Sequence, residues 1–173
     1  MEHALAHFRL DVAAKTCADL GSNTGGFVDV LLQRGAARVY AIDTGYGVLD
    51  WTLRKDPRVV VMERTNAMHV TLPETAGVVT IDVAWTKQKH ILPSARKLIA
   101  GDGFCVTLIK PHYEAEAAML KKGILPEERV GEIVEKVSAD IAAAGFELRG
   151  TVESPIKGAK GNAEVLVWLT PRL

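Results

Sequence analysis

The sequence lacks the features that mark secreted and membrane-bound chains. Of its 173 residues only 2 are cysteines, and neither Cys17 nor Cys105 has a metal-ligand spacing with a histidine. Both lie in apolar runs, so we expect buried thiols in a reducing compartment and no metal site. No apolar run approaches the roughly 18 residues that a membrane helix needs, and the N-terminal residues do not resemble a secretory signal. These absences predict a cytoplasmic protein without a membrane partner.

An excess of charge of one sign is lacking as well. The chain has 21 basic and 21 acidic residues, which gives a formal net charge of +0. A free-standing nucleic-acid binder is usually basic, because neutralising phosphates drives its affinity. Either the chain binds no nucleic acid, or its binding depends on a partner or on a local basic rim, for which Lys121, Lys122, Lys157 and Lys160 are the candidates.

Short apolar runs alternate with helical segments along the chain. The runs predicted as strands are 16–20, 37–43, 58–63, 77–82, 103–110, 146–154 and 163–170. The segments predicted as helical are a lead-in at 1–15, then 25–35, 48–55, 87–101 and 126–145. The pattern predicts one α/β domain over residues 1–173, with a mostly parallel seven-stranded sheet, an antiparallel C-terminal strand and helices on both faces. Pro93 is expected to interrupt the fourth helix or to start it.

Ligands of such sheets bind at the carboxyl ends of the strands, near the point where the strand order reverses. The glycine-rich stretch DLGSNTGGF, residues 19–27, follows the first strand. Its spacing differs from that of dinucleotide-binding loops, and no P-loop lysine follows it. Asp43 ends the second strand, where a carboxylate can accept hydrogen bonds from both hydroxyls of a ribose. Asn66 lies just beyond the third strand, where its amide could contact an adenine edge.

Three charged residues stand at the remaining strand ends. Asp82 ends the fourth strand, Lys110 ends the fifth, and Glu164 begins the last. If the last strand runs antiparallel, its start is level with the ends of the others, and the three side chains would meet over one cleft. Each has an ordinary alternative, as a helix N-cap, a solvated strand-end lysine and an exposed edge residue respectively. Their shared position favours a catalytic group.

Six sequence blocks carry a family resemblance. DLGSNTGGF, VYAIDTGYG, DPRVVVMERTNA, TIDVAW, LIKPHYE and SPIKGAKGNAEVLVWL occur in this order between residues 16 and 170. Together they resemble the catalytic domain of FtsJ-like methyltransferases, in particular the TlyA (hemolysin-type) branch. The resemblance implies a Rossmann-like methyltransferase fold, S-adenosyl-L-methionine as cofactor and a ribose 2′-hydroxyl of ribosomal RNA as methyl acceptor. That branch also carries an S4 RNA-binding domain, for which we expect no room in this chain.

The resemblance also implies roles for individual residues. The family uses a Lys-Asp-Lys-Glu set, and Asp82, Lys110 and Glu164 match its last three members. The segment HFRLD places Arg9 at the first position, and Lys15 is a weaker candidate. The cofactor-binding residues are expected to be Asp19, Gly21, Ser22, Asn23, Thr24, Gly25, Gly26, Phe27, Asp43, Thr44, Asn66 and Asp82. The substrate-binding residues are expected to be Trp85, Lys157 and Lys160.

Several alternatives stay open at this point. Lys110 could take the proton of the hydroxyl as a neutral amine, or it could orient the hydroxyl as a charged group that stabilises developing alkoxide. The chain could methylate a small molecule, which its neutral charge favours. It could also be a non-catalytic cofactor binder or a hemolysin-like member of the family. Trp85 is the best candidate to stack on a base, whereas Trp51 and Trp168 are expected in the core.

Overall fold

A computed structural model of the chain describes residues 1–172. Its strands are β1 Thr16–Leu20, β2 Arg38–Ile42, β3 Val59–Met62, β4 Ala76–Ile81, β5 Ile99–Ile109, β6 Phe146–Glu153 and β7 Val165–Pro171. They form one seven-stranded sheet in the order β3-β2-β1-β4-β5-β7-β6. Neighbouring strands pair in parallel, except that β7 is antiparallel to both β5 and β6. The mostly parallel sheet with an antiparallel C-terminal strand is confirmed.

Helices cover both faces of this sheet. They are α1 Glu2–Phe8, α2 Gly26–Gln33, α3 Trp51–Arg54, α4 Gln88–Leu98, α5 Pro111–Glu114 and α6 Val130–Ala143. On one face, α4 and α6 bury Leu92 and Ile141 against the strands. On the other face, α1 and α2 bury Leu5 and Leu31. The strands between the two layers are apolar on both sides, which is why a parallel sheet needs this double cover.

The strand order places the candidate residues at one edge. The chain runs outward from β1 through β2 and β3, and then returns to place β4 on the other side of β1. The loops after β1 and β4 therefore face each other across a crevice at the carboxyl edge of the sheet. Val165 at the start of β7 pairs with Ile109 at the end of β5. The reversed direction of β7 thus brings Glu164 to the same edge as Lys110.

Two helix predictions are corrected. The fourth helix, α4, runs continuously through Pro93, so the expected interruption or start at that residue is wrong. Pro93 lies on the exposed face of α4, where water can reach the Lys89 carbonyl that loses its hydrogen-bond donor. The lead-in predicted for 1–15 is helical only at Glu2–Phe8, because Arg9 adopts a left-handed conformation that ends α1.

Other boundaries also differ from the predicted ones. The last helix, α6, begins at Val130, after a 3-10 turn at Glu127–Arg129, rather than at Pro126. β5 begins at Ile99, because the glycine-rich residues 101–103 continue the strand rather than precede it. The short helix α5 was not predicted.

The cysteines behave as their sequence context predicts. Cys17 and Cys105 are free and fully buried. Burial raises the pKa of the Cys17 thiol to about 12, so it stays protonated at neutral pH. Within residues 1–172, none of the helices has the length and apolar character needed to cross a bilayer.

Candidate active site

The loop at residues 21–26 is fixed largely by backbone contacts. The N–H groups of Gly21 and Ser22 both donate to the carbonyl of Ile42, at 2.9 and 3.0 Å. Gly21 has a φ of 88°, and a Cβ at this position would overlap the carbonyl oxygen of Asp82. Only glycine combines this dihedral with so close an approach. The loop after β1 is therefore held directly against the end of β4.

Asp43 ties the same loop to the end of β2. Its carboxylate accepts hydrogen bonds from the N–H groups of Asn23, at 2.8 Å, and Gly45, at 2.7 Å. A carboxylate has about four acceptor positions, so Asp43 keeps capacity for the hydroxyls of a ligand. Residues 21–26 and 43–50 together are called the glycine-loop wall of the crevice below.

An open cavity of about 340 Å³ occupies the crevice. Small-molecule sites typically measure roughly 300–1,000 Å³, so the cavity has the size of a ligand site. The predicted residues that line it are Gly21, Asn23, Asp43, Thr44, Asn66, Asp82, Trp85 and Lys110. Thr65, Met68, Val83 and Ile91 also line it and were not predicted. Their identities carried no chemical signal, since apolar and small side chains occur throughout the sequence.

The rest of the predicted cofactor loop lies outside the main cavity. Thr24, Gly25 and Gly26 line a separate hollow beside α3. Ser22 is buried, and Phe27 packs in the apolar cluster formed with α1. Within this loop, the structure brings only Gly21 and Asn23 to the main cavity.

The structure brings Lys110, Asp82 and Glu164 together at the carboxyl edge. The Nζ atom of Lys110 lies 2.6 Å from Oδ1 of Asp82. This contact is a charge contact, because Oδ1 has no aligned hydrogen bond within residues 1–172. Burial raises the pKa of Glu164, while the charge of Lys110 lowers it and that of Asp82 raises it. The Lys110 and Asp82 side chains are 16% and 34% exposed, so the group is open to the cavity.

Glu164 is covered by the loop that precedes β7. A Cβ at Gly158 would overlap Oε1 of Glu164, so the backbone of this loop lies directly on the carboxylate. The N–H of Ser154 also donates to the carbonyl of Glu164, at 2.8 Å. The position of the loop therefore determines the position of Glu164.

Asn162 joins this loop to the segment before α6. The side chain is 2% exposed, and its Oδ1 accepts the N–H of Leu125 at 2.9 Å. Its Nδ2 donates to the carbonyls of Gly123, at 3.0 Å, and Ala159, at 2.9 Å. Residues 115–129 and 154–164 are thereby fastened to each other, and together they are called the lysine-loop wall below.

The predicted substrate-binding residues are all at the surface. Trp85 is 83% exposed and lines the cavity. Lys157 and Lys160 are exposed on the lysine-loop wall and do not line the cavity. The Nζ of Lys160 donates to the carbonyl of Lys122 at 3.2 Å.

Arg9 and Lys15 do not join the charged group, contrary to the expectation for the first lysine of the set. Arg9 is exposed at the C-terminal end of α1, next to Phe8, whose ring packs on Trp168 in the middle of β7 rather than at the carboxyl edge. Lys15 lies against Gly77 at the opposite edge of the sheet.

Asp19 is a buried carboxyl group beneath the glycine-loop wall. It is 1% exposed, and its Oδ1 accepts the hydroxyl of Thr80 at 2.6 Å. Its Oδ2 has no hydrogen-bond partner within the described part of the chain. Burial raises the pKa of Asp19 to about 7, while Thr80 lowers it and Asp82 raises it. Asp19 does not line the cavity, so it supports the site from below.

Two buried polar residues near the site were missed by sequence reasoning. Asn162 was missed because its partners Leu125 and Gly123 are 37 and 39 residues away. His112 is 7% exposed, and burial and the charge of Lys110 lower its pKa. Neither ring nitrogen of His112 has a hydrogen-bond partner in residues 1–172. Within residues 1–172 there is no group of three or more His, Cys, Asp or Glu side chains that could bind a metal ion.

A family model described as FtsJ-like methyltransferase matches residues 1–170. The chain therefore belongs to the FtsJ-like methyltransferase family. It is 42% identical over 178 residues to YqxC of Bacillus subtilis, named as a candidate rRNA methyltransferase, and the match covers 98% of this chain and 62% of YqxC. It is 39% identical over 173 residues to the 16S/23S rRNA (cytidine-2′-O)-methyltransferase TlyA of Mycobacterium tuberculosis, covering 96% of this chain and 64% of TlyA.

A solved structure agrees with these matches. A candidate hemolysin from Streptococcus thermophilus superimposes with a TM-score of 0.95 at 38% identity, covering 99% of this chain and 64% of that one. The Rossmann-like methyltransferase fold implied by the sequence blocks is confirmed. The chain spans slightly less than two thirds of the length of these three relatives, so their activities belong to longer proteins.

Proposed function

We propose that this chain binds S-adenosyl-L-methionine in the cavity between β1 and β4 and methylates a ribose 2′-hydroxyl of ribosomal RNA. The observation that carries the proposal is the contact of 2.6 Å between Lys110 and Asp82 at the cavity, with Glu164 beside it. A sugar hydroxyl is a poor nucleophile at neutral pH, so its methylation needs a charged group held in position.

The residues around the cavity fit S-adenosylmethionine. Asp43 has acceptor positions left for the ribose hydroxyls, as described above. The Oδ1 of Asn66 accepts the N–H of Met68 at 2.9 Å, which leaves the amide N–H groups of Asn66 for the edge of a base. Gly21, which lies against the carbonyl of Asp82, and Asn23, which donates to Asp43, also line the cavity and would lie along the methionine portion. When bound, the cofactor supplies the electrophilic methyl group.

Lys110 serves the reaction as a charged group in this proposal. Its contact with Asp82 holds the ammonium group in place, and such a cation can donate to the acceptor hydroxyl and stabilise the negative charge that develops on its oxygen. Burial raises the pKa of Glu164, which makes its carboxylate a stronger base for the proton of the acceptor hydroxyl.

An RNA acceptor is supported by relatives whose names specify rRNA. The exposed Trp85 at the cavity could stack on an unpaired base, which is how proteins hold single-stranded RNA. Lys157 and Lys160 could contact phosphates. Because the net charge is +0, affinity would come from such local cations or from a partner. An rRNA substrate also implies a cytoplasmic location.

The neutral charge favours a second candidate function, the methylation of a small molecule. The same cofactor chemistry would then act on an acceptor that needs no phosphate contacts. A transfer assay with RNA separates the two candidates.

The test is transfer of labelled methyl from S-adenosylmethionine to ribosomal subunits and to deproteinised RNA. We expect Lys110→Ala to lower transfer by roughly 10²- to 10³-fold, because the acceptor hydroxyl loses its charged partner. Cofactor affinity should change by no more than a few-fold. Lys136→Ala, which removes an exposed lysine of α6, is the matched control and should keep full transfer.

Nuclease digestion of the labelled RNA would then show whether the methyl group is on a 2′-oxygen. A wild-type chain that binds the cofactor but leaves RNA unlabelled would favour the small-molecule candidate. Loss of cofactor binding together with activity in Lys110→Ala would contradict the catalytic role of Lys110.

A further inference from the structure

Two exposed aromatic rings on the glycine-loop wall and the adjoining α3 each carry a cation. Tyr46 is 72% exposed, and Cζ of Arg64 lies 4.2 Å from the centroid of its ring. Trp51 was expected in the core but is 65% exposed, and Nζ of Lys55 lies 4.7 Å from its ring. These four residues are called the aromatic–cation surface. Their exposure shows that they do not serve core packing.

The cations of this surface differ from their neighbours in charge pairing. Arg54 forms an ion pair with Glu63, and Arg58 pairs with Asp56 at 2.7 Å. Lys55 and Arg64, by contrast, have no carboxylate within 4.0 Å in the part of the chain that the structure describes. A cation that rests on a ring rather than on a carboxylate keeps its charge available to an anionic partner.

The surface is fixed to the crevice by backbone hydrogen bonds. The N–H of Arg64 donates to the carbonyl of Gly45 at 3.0 Å, and the N–H of Asp50 donates to that of Thr24 at 3.1 Å. Tyr46 and Trp51 therefore stand at the same edge of the sheet as the cavity, on the side of β2 and β3. The lysine-loop wall lies on the other side of the cavity, next to β5 and β7.

We propose that the aromatic–cation surface binds unpaired nucleotides of the RNA next to the target nucleotide. The inference rests on the proposed function and adds a second contact region to it. Bases stack on exposed aromatic rings without regard to sequence, and adjacent cations neutralise the phosphates between them. Tyr46 and Trp51 supply the rings, and Arg64 and Lys55 supply the charges. This local arrangement provides RNA affinity in a chain whose net charge is +0.

The test compares two double variants in methyl transfer and in RNA binding. For Lys55→Gln/Arg64→Gln we expect a KM for RNA about tenfold higher, and a salt slope of RNA affinity lower by roughly 1.4 to 1.8, at about 0.7 to 0.9 per phosphate contact. For Tyr46→Ala/Trp51→Ala we expect at least a tenfold rise in KM with the salt slope retained. Both should keep the kcat and the cofactor affinity of the wild type.

The matched control is Lys97→Gln/Lys136→Gln, which removes two exposed lysines from α4 and α6. It changes the net charge as much as Lys55→Gln/Arg64→Gln does, and it should leave the KM for RNA unchanged. Equal losses in the control and in the surface variants would overturn the inference, because general charge would then explain them.

The remaining outcomes separate this inference from the proposed function. If the wild type methylates RNA in a Lys110-dependent way and the surface variants keep its KM and salt slope, the surface inference is wrong and the function stands. If the wild type binds RNA without methylating it, and the variants lose that binding, the surface is supported and the function fails. If the variants bind intact subunits less well but deproteinised RNA equally, the surface contacts a protein and the RNA assignment is wrong.

Discussion

The two walls of the crevice are held in place by different means. The glycine-loop wall is fixed mainly by backbone, because Gly21 has a positive φ, abuts the carbonyl of Asp82 and donates to Ile42. The Asp43 carboxylate adds hydrogen bonds to backbone N–H groups of the same wall. The lysine-loop wall is fixed by side chains, since the buried Asn162 and the exposed Lys160 supply the hydrogen bonds that fasten residues 115–129 to residues 154–164. The difference teaches that one wall has a rigid geometry suited to an invariant ligand, whereas the other has a geometry that single side chains set.

The largest expected effect comes from breaking the backbone-fixed wall. Gly21→Ala places a Cβ where it overlaps the carbonyl oxygen of Asp82, in a conformation that L-residues avoid. We expect cofactor affinity to fall by about 100-fold or more, as measured by calorimetry with S-adenosylmethionine. Gly131→Ala is the control, because a Cβ at that position in α6 meets nothing within 4 Å. Unchanged affinity in Gly21→Ala would show that the backbone of the glycine-loop wall can shift to make room for the added Cβ.

A smaller effect is expected from releasing the side-chain-fixed wall. Asn162→Ala removes the hydrogen bonds to Leu125 and Gly123, so the loop over Glu164 loses its fixed position. We expect single-turnover transfer to fall by roughly 10- to 100-fold, with cofactor affinity within a few-fold of the wild type. Cleavage by proteases in residues 115–129 should become faster.

The control for this variant is Ser138→Ala, which removes an exposed polar group of α6. It should match the wild type in both measurements. If Asn162→Ala lowered cofactor affinity as strongly as Gly21→Ala does, the two walls would not be independent.

The smallest of the three effects concerns the stability of the glycine-loop wall. Burial raises the pKa of Asp19 from 3.8 to about 7, so this carboxyl favours folding while it is protonated. This contribution to the free energy of unfolding is lost as the pH rises from the pKa of Asp19 in the unfolded chain, 3.8, toward its pKa in the folded chain, about 7. Between pH 6 and pH 7 the loss is about 1 kcal/mol. Asp19→Asn keeps an oxygen acceptor for Thr80 and should remove this dependence.

Urea unfolding at pH 6, 7 and 8 checks the effect. The difference in the free energy of unfolding between wild type and Asp19→Asn should move in favour of the variant up to about pH 7 and then level off. A constant difference over this range would mean that Asp19 does not titrate there.

The fold could be predicted because its signals are local. Apolar runs such as Thr16–Leu20 and Ala76–Ile81 are strands buried on both faces, and their alternation with helical segments fixes the layer order. Pro93 misled the prediction because its effect on a helix depends on solvent exposure, which no local pattern reports.

The site could be predicted only in part. Asp43, Asp82 and Lys110 each follow a strand directly. Because these strands are parallel, their ends lie at one edge of the sheet, and the sequence could predict that the three residues share it. Arg9 was expected at the first position because HFRLD matches the family pattern, but it follows Phe8, which packs on Trp168 in the middle of β7 rather than at that edge. Asn162 and the exposed Trp51 depend on contacts and exposure that arise only in the folded chain.

The reversed strand β7 has a consequence for how specificity can evolve. Because β6 and β7 form an antiparallel pair, the segment between them is a hairpin connection rather than a crossover. Insertions or exchanges in residues 155–157 therefore leave every strand of the sheet in register, with Val165 still paired to Ile109 of β5. Changes confined to these three residues can remodel the rim around the acceptor, while Gly158 and Asn162 keep Glu164 in place.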